Sequence, residues 1–219
     1  TCPRGLEALL VNELSSQQAH KIIATDGGAS FEGSLETMYR VNLHSRIATR
    51  VLSRVGQGNY TSEEDIYKAT FKLNWPSCFK VNQTIRVKVT GVKCPLKSLD
   101  FVTLRIKDAV CDRFREEGAL RPSVSVREPD VRIHAYLNQN QYQLYLDTSG
   151  APLYQRGFRD VSVIAPLREN LAAGIIMLSG WKPGTPFLDP MCGSGTFLIE
   201  AAMMAIHQPP GIKRTFGFQ

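Results

Sequence analysis

The string Pro186-Phe187-Leu188-Asp189-Pro190-Met191-Cys192-Gly193-Ser194-Gly195-Thr196-Phe197-Leu198-Ile199-Glu200 constrains the fold more than any other part of the chain. A short apolar strand ends on an acidic residue, turns through Gly-x-Gly and opens directly into a helix. In an α/β sheet this arrangement offers backbone N–H groups and a helix N-terminus to a small polar ligand at the carboxyl end of a strand. Gly193 and Gly195 let the backbone turn sharply and approach that ligand with no Cβ in the way. Position 198 is leucine, so the string is not a dinucleotide fingerprint, and no Gly-Lys-Ser/Thr follows to make a P-loop. On spacing alone it fits either a ligand-binding turn or an ordinary strand–helix connection.

The 219 residues leave room for one to two ordinary domains, and 43% apolar residues suffice for a sizeable core. No apolar run reaches the ~20 residues of a membrane span, and the N-terminus lacks the apolar stretch of a signal peptide. Cytoplasm is therefore the expected location. The five cysteines, Cys2, Cys78, Cys94, Cys111 and Cys192, form no Cys-x-x-Cys pair and predict neither a zinc site nor a disulfide framework. The chain starts at Thr1 rather than methionine, so at least one residue is expected to precede it. A net charge of +6 favours a polyanionic partner. Arg86, Lys88, Lys93, Lys97, Arg105, Lys107, Arg113 and Arg115 cluster against only Asp100, Asp108 and Asp112. This cluster reads equally as a nucleic-acid surface or as a solvated strand and helix face.

Periodicity divides the chain into three segments. In the first, Leu6, Leu9, Leu10, Glu13 and Leu14 recur at helical spacing after Cys2-Pro3-Arg4-Gly5. Lys21 to Thr25 and Phe31 to Leu35 predict strands on either side of Gly27-Gly28, Leu35 to Asn42 a helix, and Arg46 to Val55 a strand. Gly56-Gln57-Gly58 marks a boundary. Ser62, with Asp65 three residues on, then caps a helix through Ile66, Tyr67, Ala69, Thr70 and Phe71. A second short helix is expected over Trp75 to Phe79. Ile85-Arg86-Val87-Lys88-Val89 alternates as a strand with Arg86 and Lys88 on its other face. Val102 to Arg115 is an amphipathic helix, and Val131–Tyr136 with Tyr142–Leu146 form a hairpin across Asn138 to Gln141. Pro166 suits the first turn of a helix through Leu171, Ile175 and Leu178. No repeat or low-complexity tract is evident.

The string around Asp189 closely resembles the first motif of S-adenosylmethionine-dependent methyltransferases, in the variant of RNA guanine-N2 methyltransferases that carry a THUMP domain. The middle helix–helix–strand–helix–strand–strand segment resembles the THUMP domain itself, an RNA-binding module. Cys2-Pro3-Arg4-Gly5-Leu6-Glu7 resembles the start of the small ferredoxin-like domain that precedes it. Leu146-Asp147-Thr148-Ser149-Gly150, Leu153-Tyr154-Gln155-Arg156-Gly157-Phe158-Arg159 and Ala165-Pro166-Leu167-Arg168-Glu169-Asn170-Leu171-Ala172-Ala173 resemble the join in bacterial 23S rRNA guanine-N2 methyltransferases. The similarity spans essentially the whole chain.

The resemblance implies α+β ferredoxin-like and THUMP domains over 1–57 and 58–152, then the start of an α/β Rossmann-like methyltransferase domain over 153–219. It implies S-adenosyl-L-methionine as cofactor, held by Asp189, Pro190, Met191, Cys192, Gly193, Ser194, Gly195 and Thr196, with Arg159, Pro166 and Leu167 lying over it. It implies RNA, 23S rRNA first, as partner and substrate; Arg86, Lys88, Lys93, Lys97, Arg105 and Lys107 are the candidate contacts. By residue type alone Arg156 and Arg159 are equally surface arginines. His134 lacks a metal-ligand partner at useful spacing and reads as a surface or RNA-facing side chain. Cys192 lacks a His/Asn constellation and is not read as a nucleophile. The family's Asn/Asp-Pro-Pro-Tyr/Phe motif, which holds the reacting amine, is absent from these residues, so the chain alone is expected to be inactive. The alternatives are a tRNA guanine-N2 methyltransferase, a DNA adenine-N6 methylase, and a non-catalytic RNA-binding module.

Overall fold

The structure, a computed structural model, describes residues 1–118, 120–158 and 167–218. They form two compact units, one of residues 1–51 with 151–219 and one of residues 52–150.

In the first unit, helix α1 (Glu7–Ser16) buries Leu10 and Leu14, with Leu6 buried just ahead of it. Strands β1 (His20–Thr25) and β2 (Gly28–Glu32) pair antiparallel. The second strand begins three residues before the expected Phe31. Asp26-Gly27 closes a two-residue turn, with Gly27 at φ 71° and Thr25 opposite Gly28, so the glycine pair starts the ladder instead of interrupting it. Helix α2 (Leu35–His44) follows, its N-cap Ser34 accepting from the Thr37 N–H. The strand expected over Arg46–Val55 forms only from Leu52 on, and residues 46–51 are not strand. The Arg46 and Ile47 amides donate to the Glu13 carboxylate and the Thr49 amide to the Thr1 carbonyl, which uses up the groups a ladder needs. Ile47, Ala48 and Val51 are nonetheless buried, in one cluster with Cys2, Leu6, Leu10, Leu14, Val41, Leu153 and Ala173.

That cluster takes in helix α5 (Glu169–Leu178), and helix α6 (Thr196–Ala205) adds Met204 at its edge. Gly174 of α5 sits so close to Leu6 that a Cβ there would lie 2.4 Å from a leucine methyl. The buried Asn170 amide donates to the Ile47 carbonyl at 3.2 Å and to the Thr49 hydroxyl at 3.0 Å. The first fifty residues and the methyltransferase-like segment therefore share one core. Phe187–Leu188, read as a strand, has no ladder partner among the described residues, and Leu188 is 87% exposed.

The second unit is a four-stranded sheet in the order β3-β6-β5-β4, with α3 (Glu63–Phe71) and α4 (Leu99–Gly118) packed on one face. Its strands are β3 (Leu52–Asn59), β4 (Ile85–Val92), β5 (Val131–Asn138) and β6 (Gln141–Asp147). β4 runs parallel to β5, and the other pairs are antiparallel. β3 passes through Gly56-Gln57-Gly58, which sequence reads as a boundary, with its register shifting between Arg54 and Gly56. The second short helix is a single 3-10 turn at Trp75–Ser77. Alternation along β4 and β5 sends Ile85, Val87, Val89, Ile133, Ala135 and Leu137 to the core. There they meet Val102, Ile106, Val110 and Phe114 of α4.

Candidate functional site

The turn after Asp189 is built as its sequence predicts. The Gly195 amide donates to the Cys192 carbonyl at 2.7 Å, and the Ile199 amide closes the first turn of α6 on the Gly195 carbonyl. Gly193 and Gly195 lie at φ 53° and 71°, and no described residue stands within 4 Å of where a Cβ would sit on either. Left-handed backbone favours glycine here, and the cradle stays open. Gly195 is also the N-cap of α6 and brings no side chain to its first amides, which an α-helix cannot satisfy internally. The Met191 amide donates to Asp189 Oδ1 at 3.1 Å, while Asp189 Oδ2 is buried with no partner among the described residues. Ser194 and Thr196 share a hydrogen bond at 3.0 Å, and Met191 and Cys192 face solvent.

An acceptor and a helix N-terminus thus lie on one open turn. This set suits a ligand carrying an ammonium and a carboxylate, the first for Asp189 Oδ2 and the second for backbone N–H groups. The structure brings Asp189 to Thr196 together. Leu167 is half-buried two residues before α5. Arg159 and Pro166 lie outside the described residues.

Behind the turn, one helical turn along α6, Glu200 is fully buried between arginines. Arg156, itself buried, donates from Nε to Glu200 Oε1 at 3.2 Å, and its other nitrogens donate to the Leu153 and Arg46 carbonyls. Arg46 lies 3.9 Å from Glu200 Oε2 and donates to the Met203 and Gln208 carbonyls at the far end of α6. Glu13 completes the set, accepting from the Ser45 hydroxyl at 2.5 Å and from the Arg46 and Ile47 amides. Burial pushes both the Glu13 and Glu200 carboxyls up, against the hydrogen bonds and guanidinium charge that pull them down. Burial likewise lowers Arg46. Arg156 is therefore a core residue rather than a surface one. Residue type alone leaves that open, although the lone acid on each apolar helical stripe hints at such a network.

In the second unit the six candidate basic residues divide. Arg86 and Lys88 point away from α4 on the open face of the sheet, and Arg86 donates to the Val126 carbonyl at 2.9 Å. Lys88, Lys93 and Lys97 have no acidic partner among the described residues. Arg105 instead pairs with Glu64 and lies 4.1 Å over the Tyr67 ring, and Lys107 pairs with Asp108 at 2.6 Å. His134 contacts the buried Asp147 carboxylate at 3.3 Å.

Residues 1–52 match the RlmL ferredoxin-like domain, residues 60–147 the THUMP domain, and residues 156–219 the RMKL-like methyltransferase domain. A structure from Listeria monocytogenes, assigned as an N6-adenine-specific DNA methylase, is 32% identical with a TM-score of 0.89 over 99% of this chain and 57% of its own. A protein assigned as a methyltransferase and complexed with SAH is 32% identical with a TM-score of 0.88 over 100% of this chain and 58% of its own. TrmN from Thermus thermophilus, 23% identical with a TM-score of 0.70 over 94% of this chain and 60% of its own, shares the fold. The chain spans less than two thirds of the length of these proteins.

Proposed function

The chain belongs to the THUMP-containing methyltransferases of the RlmL type, and from that premise we propose that it contributes the cofactor turn and the RNA-binding module of an enzyme that methylates N2 of a guanine in 23S rRNA. S-adenosyl-L-methionine is the cofactor, and it supplies an electrophilic methyl group on a sulfonium sulfur. What falls to the protein is binding and orientation. Asp189 Oδ2 accepts from the cofactor ammonium, amides of the Met191–Thr196 turn not already engaged, such as those of Cys192, Gly193 and Ser194, receive its carboxylate, and Gly193 and Gly195 keep the approach clear. Arg159, Pro166 and Leu167 belong to the segment proposed to lie over the cofactor. A paired guanine cannot present its amine to such a site, so the target base is unpaired or flipped out. A ribosomal RNA substrate agrees with a cytoplasmic enzyme.

The buried, unpartnered Asp189 oxygen beside an open glycine turn carries this reading. In the whole enzyme, Asp189→Ala is expected to weaken cofactor binding roughly ten- to a hundredfold, the loss of one charge-assisted hydrogen bond. Equilibrium dialysis with labelled cofactor measures it, and unchanged binding removes Asp189 from the site. No Asn/Asp-Pro-Pro-Tyr/Phe string occurs in the 219 residues, so the chain by itself is expected to transfer no methyl group. Mass spectrometry of ribosomal RNA from a strain lacking the gene tests the substrate: a missing N2-methylguanine supports the reading. Intact methylation there, with a loss in tRNA or of N6-methyladenine in DNA, replaces it.

A further inference from the structure

Strands β3 to β6 contain Arg54, Arg86, Lys88, Arg132 and His134 but only one acid, Asp147, which is buried against His134. The ladders align these residues across the whole sheet. Arg54 stands opposite Tyr145, Tyr145 opposite His134, and His134 opposite Lys88, a row of four strands on the side away from α3 and α4. A second row runs beside it through Gln57, Gln143, Tyr136 and Thr90. At the usual strand spacing each row is about 14 Å long. Arg54, Arg86 and Lys88 are exposed at its margins, and the Tyr136 ring is exposed near its centre.

The helical side of the same unit is different. α3 opens with Glu63, Glu64 and Asp65, and the α4 cations are matched by Glu64, Asp108, Asp112, Glu116 and Glu117. Arg54, Arg86 and Lys88 thus carry positive charge on the open sheet with no acidic partner among the described residues, whereas Arg105, Lys107, Arg113 and Arg115 are paired. A flat sheet with aromatic rings between cations suits unstacked bases and a sugar–phosphate backbone better than the grooves of a duplex.

We propose that single-stranded RNA lies across the open face of the β3-β6-β5-β4 sheet, its phosphates on Arg54, Arg86 and Lys88 and a base stacked on Tyr136. This rests on the RNA-directed function above and moves the contact surface away from Arg105 and Lys107.

The test is titration of the 219-residue chain with a fluorescein-labelled 12-nucleotide single-stranded RNA, and with its duplex, over a series of salt concentrations. Arg54→Gln with Lys88→Gln is expected to reduce the slope of log K against log salt by about 1.4, two phosphate contacts on a single strand. Tyr136→Thr, which puts a strand-favouring β-branched side chain in place of the ring, is expected to weaken binding roughly tenfold with the slope unchanged. Lys107→Gln with Arg113→Gln should bind as wild type does. Thermal melts check that each variant folds, and photocrosslinking of 4-thiouridine RNA to the unmodified chain should label the Tyr136 peptide whether or not they do. Wild-type-like binding by both sheet variants, crosslinks confined to α4, or a preference for duplex overturns the proposal. In those cases RNA binding itself survives. Failure of the wild type to bind any RNA overturns the proposal together with the function it rests on.

Discussion

Gly195 closes a tight turn, caps a helix and stays in left-handed backbone, and the last of these argues against a side chain. Gly195→Ala meets no neighbour, so its cost is conformational, about 1–2 kcal/mol. The predicted outcome is a Tm lowered by a few degrees together with weaker cofactor binding, read by calorimetry and dialysis. These glycines were legible in the sequence because the demand on them is local. Asp189 was legible as a candidate ligand-binding residue for the same reason, but its two oxygens were not distinguishable. Only the folded turn gives Oδ1 to the Met191 amide and leaves Oδ2 without a partner among the described residues. Arg105 shows the converse, a partner set that its residue type does not reveal. As a residue type it suits phosphate, yet Glu64 and the Tyr67 ring already occupy its guanidinium.

Helix α3 shows how much of an element a short spacing can specify. Ser62 accepts from the Asp65 amide, and the Asp65 carboxylate accepts from Ser62 and Thr61, a reciprocal cap read directly from the spacing. Those bonds hold the Asp65 carboxyl down at about 2, below its ordinary 3.8. A depressed carboxylate stabilises the fold above its unfolded value and loses that contribution as pH falls through the folded one. The cap should therefore persist to about pH 4 and be lost toward pH 2. Asp65→Asn is expected to flatten that part of an acid-unfolding curve followed by circular dichroism, and Ser62→Ala to cost about 1 kcal/mol at neutral pH. Of the strand expected over Arg46–Val55 only Leu52–Val55 pairs, and residues 46–51 do not, because alternation reports burial, not pairing. Ile47, Ala48 and Val51 are buried as their pattern requires, but Glu13 and Thr1 claim amides that a strand would have used. Phe187–Leu188 likewise has strand composition without a ladder partner among the described residues.

Across the molecule the most consequential arrangement in the first unit is the buried set of Glu13, Arg46, Arg156 and Glu200. Removing one partner strands the others without compensation, so Arg156→Met is expected to cost about 3–5 kcal/mol in a denaturant titration. Burial raises the Glu13 and Glu200 carboxyls above their ordinary 4.5, so the folded chain binds those protons before the unfolded one does. Their contribution is fullest below 4.5 and declines as pH rises through the folded values, opposite in sign to that of Asp65. Glu200→Gln should flatten that decline. The sequence by itself determined what depends on neighbours a few positions apart: helix caps, the glycine turn, strand alternation, and the three domain signatures in order. Which charge meets which was decided only by the tertiary structure, because the partners are far apart in the chain. Arg156 donates to a carbonyl 110 residues away and to a carboxylate 44 away, and a row of side chains from four strands exists only once their registers are set. Electrostatic energy depends on separation in space and on burial, and neither can be read along the chain before it folds.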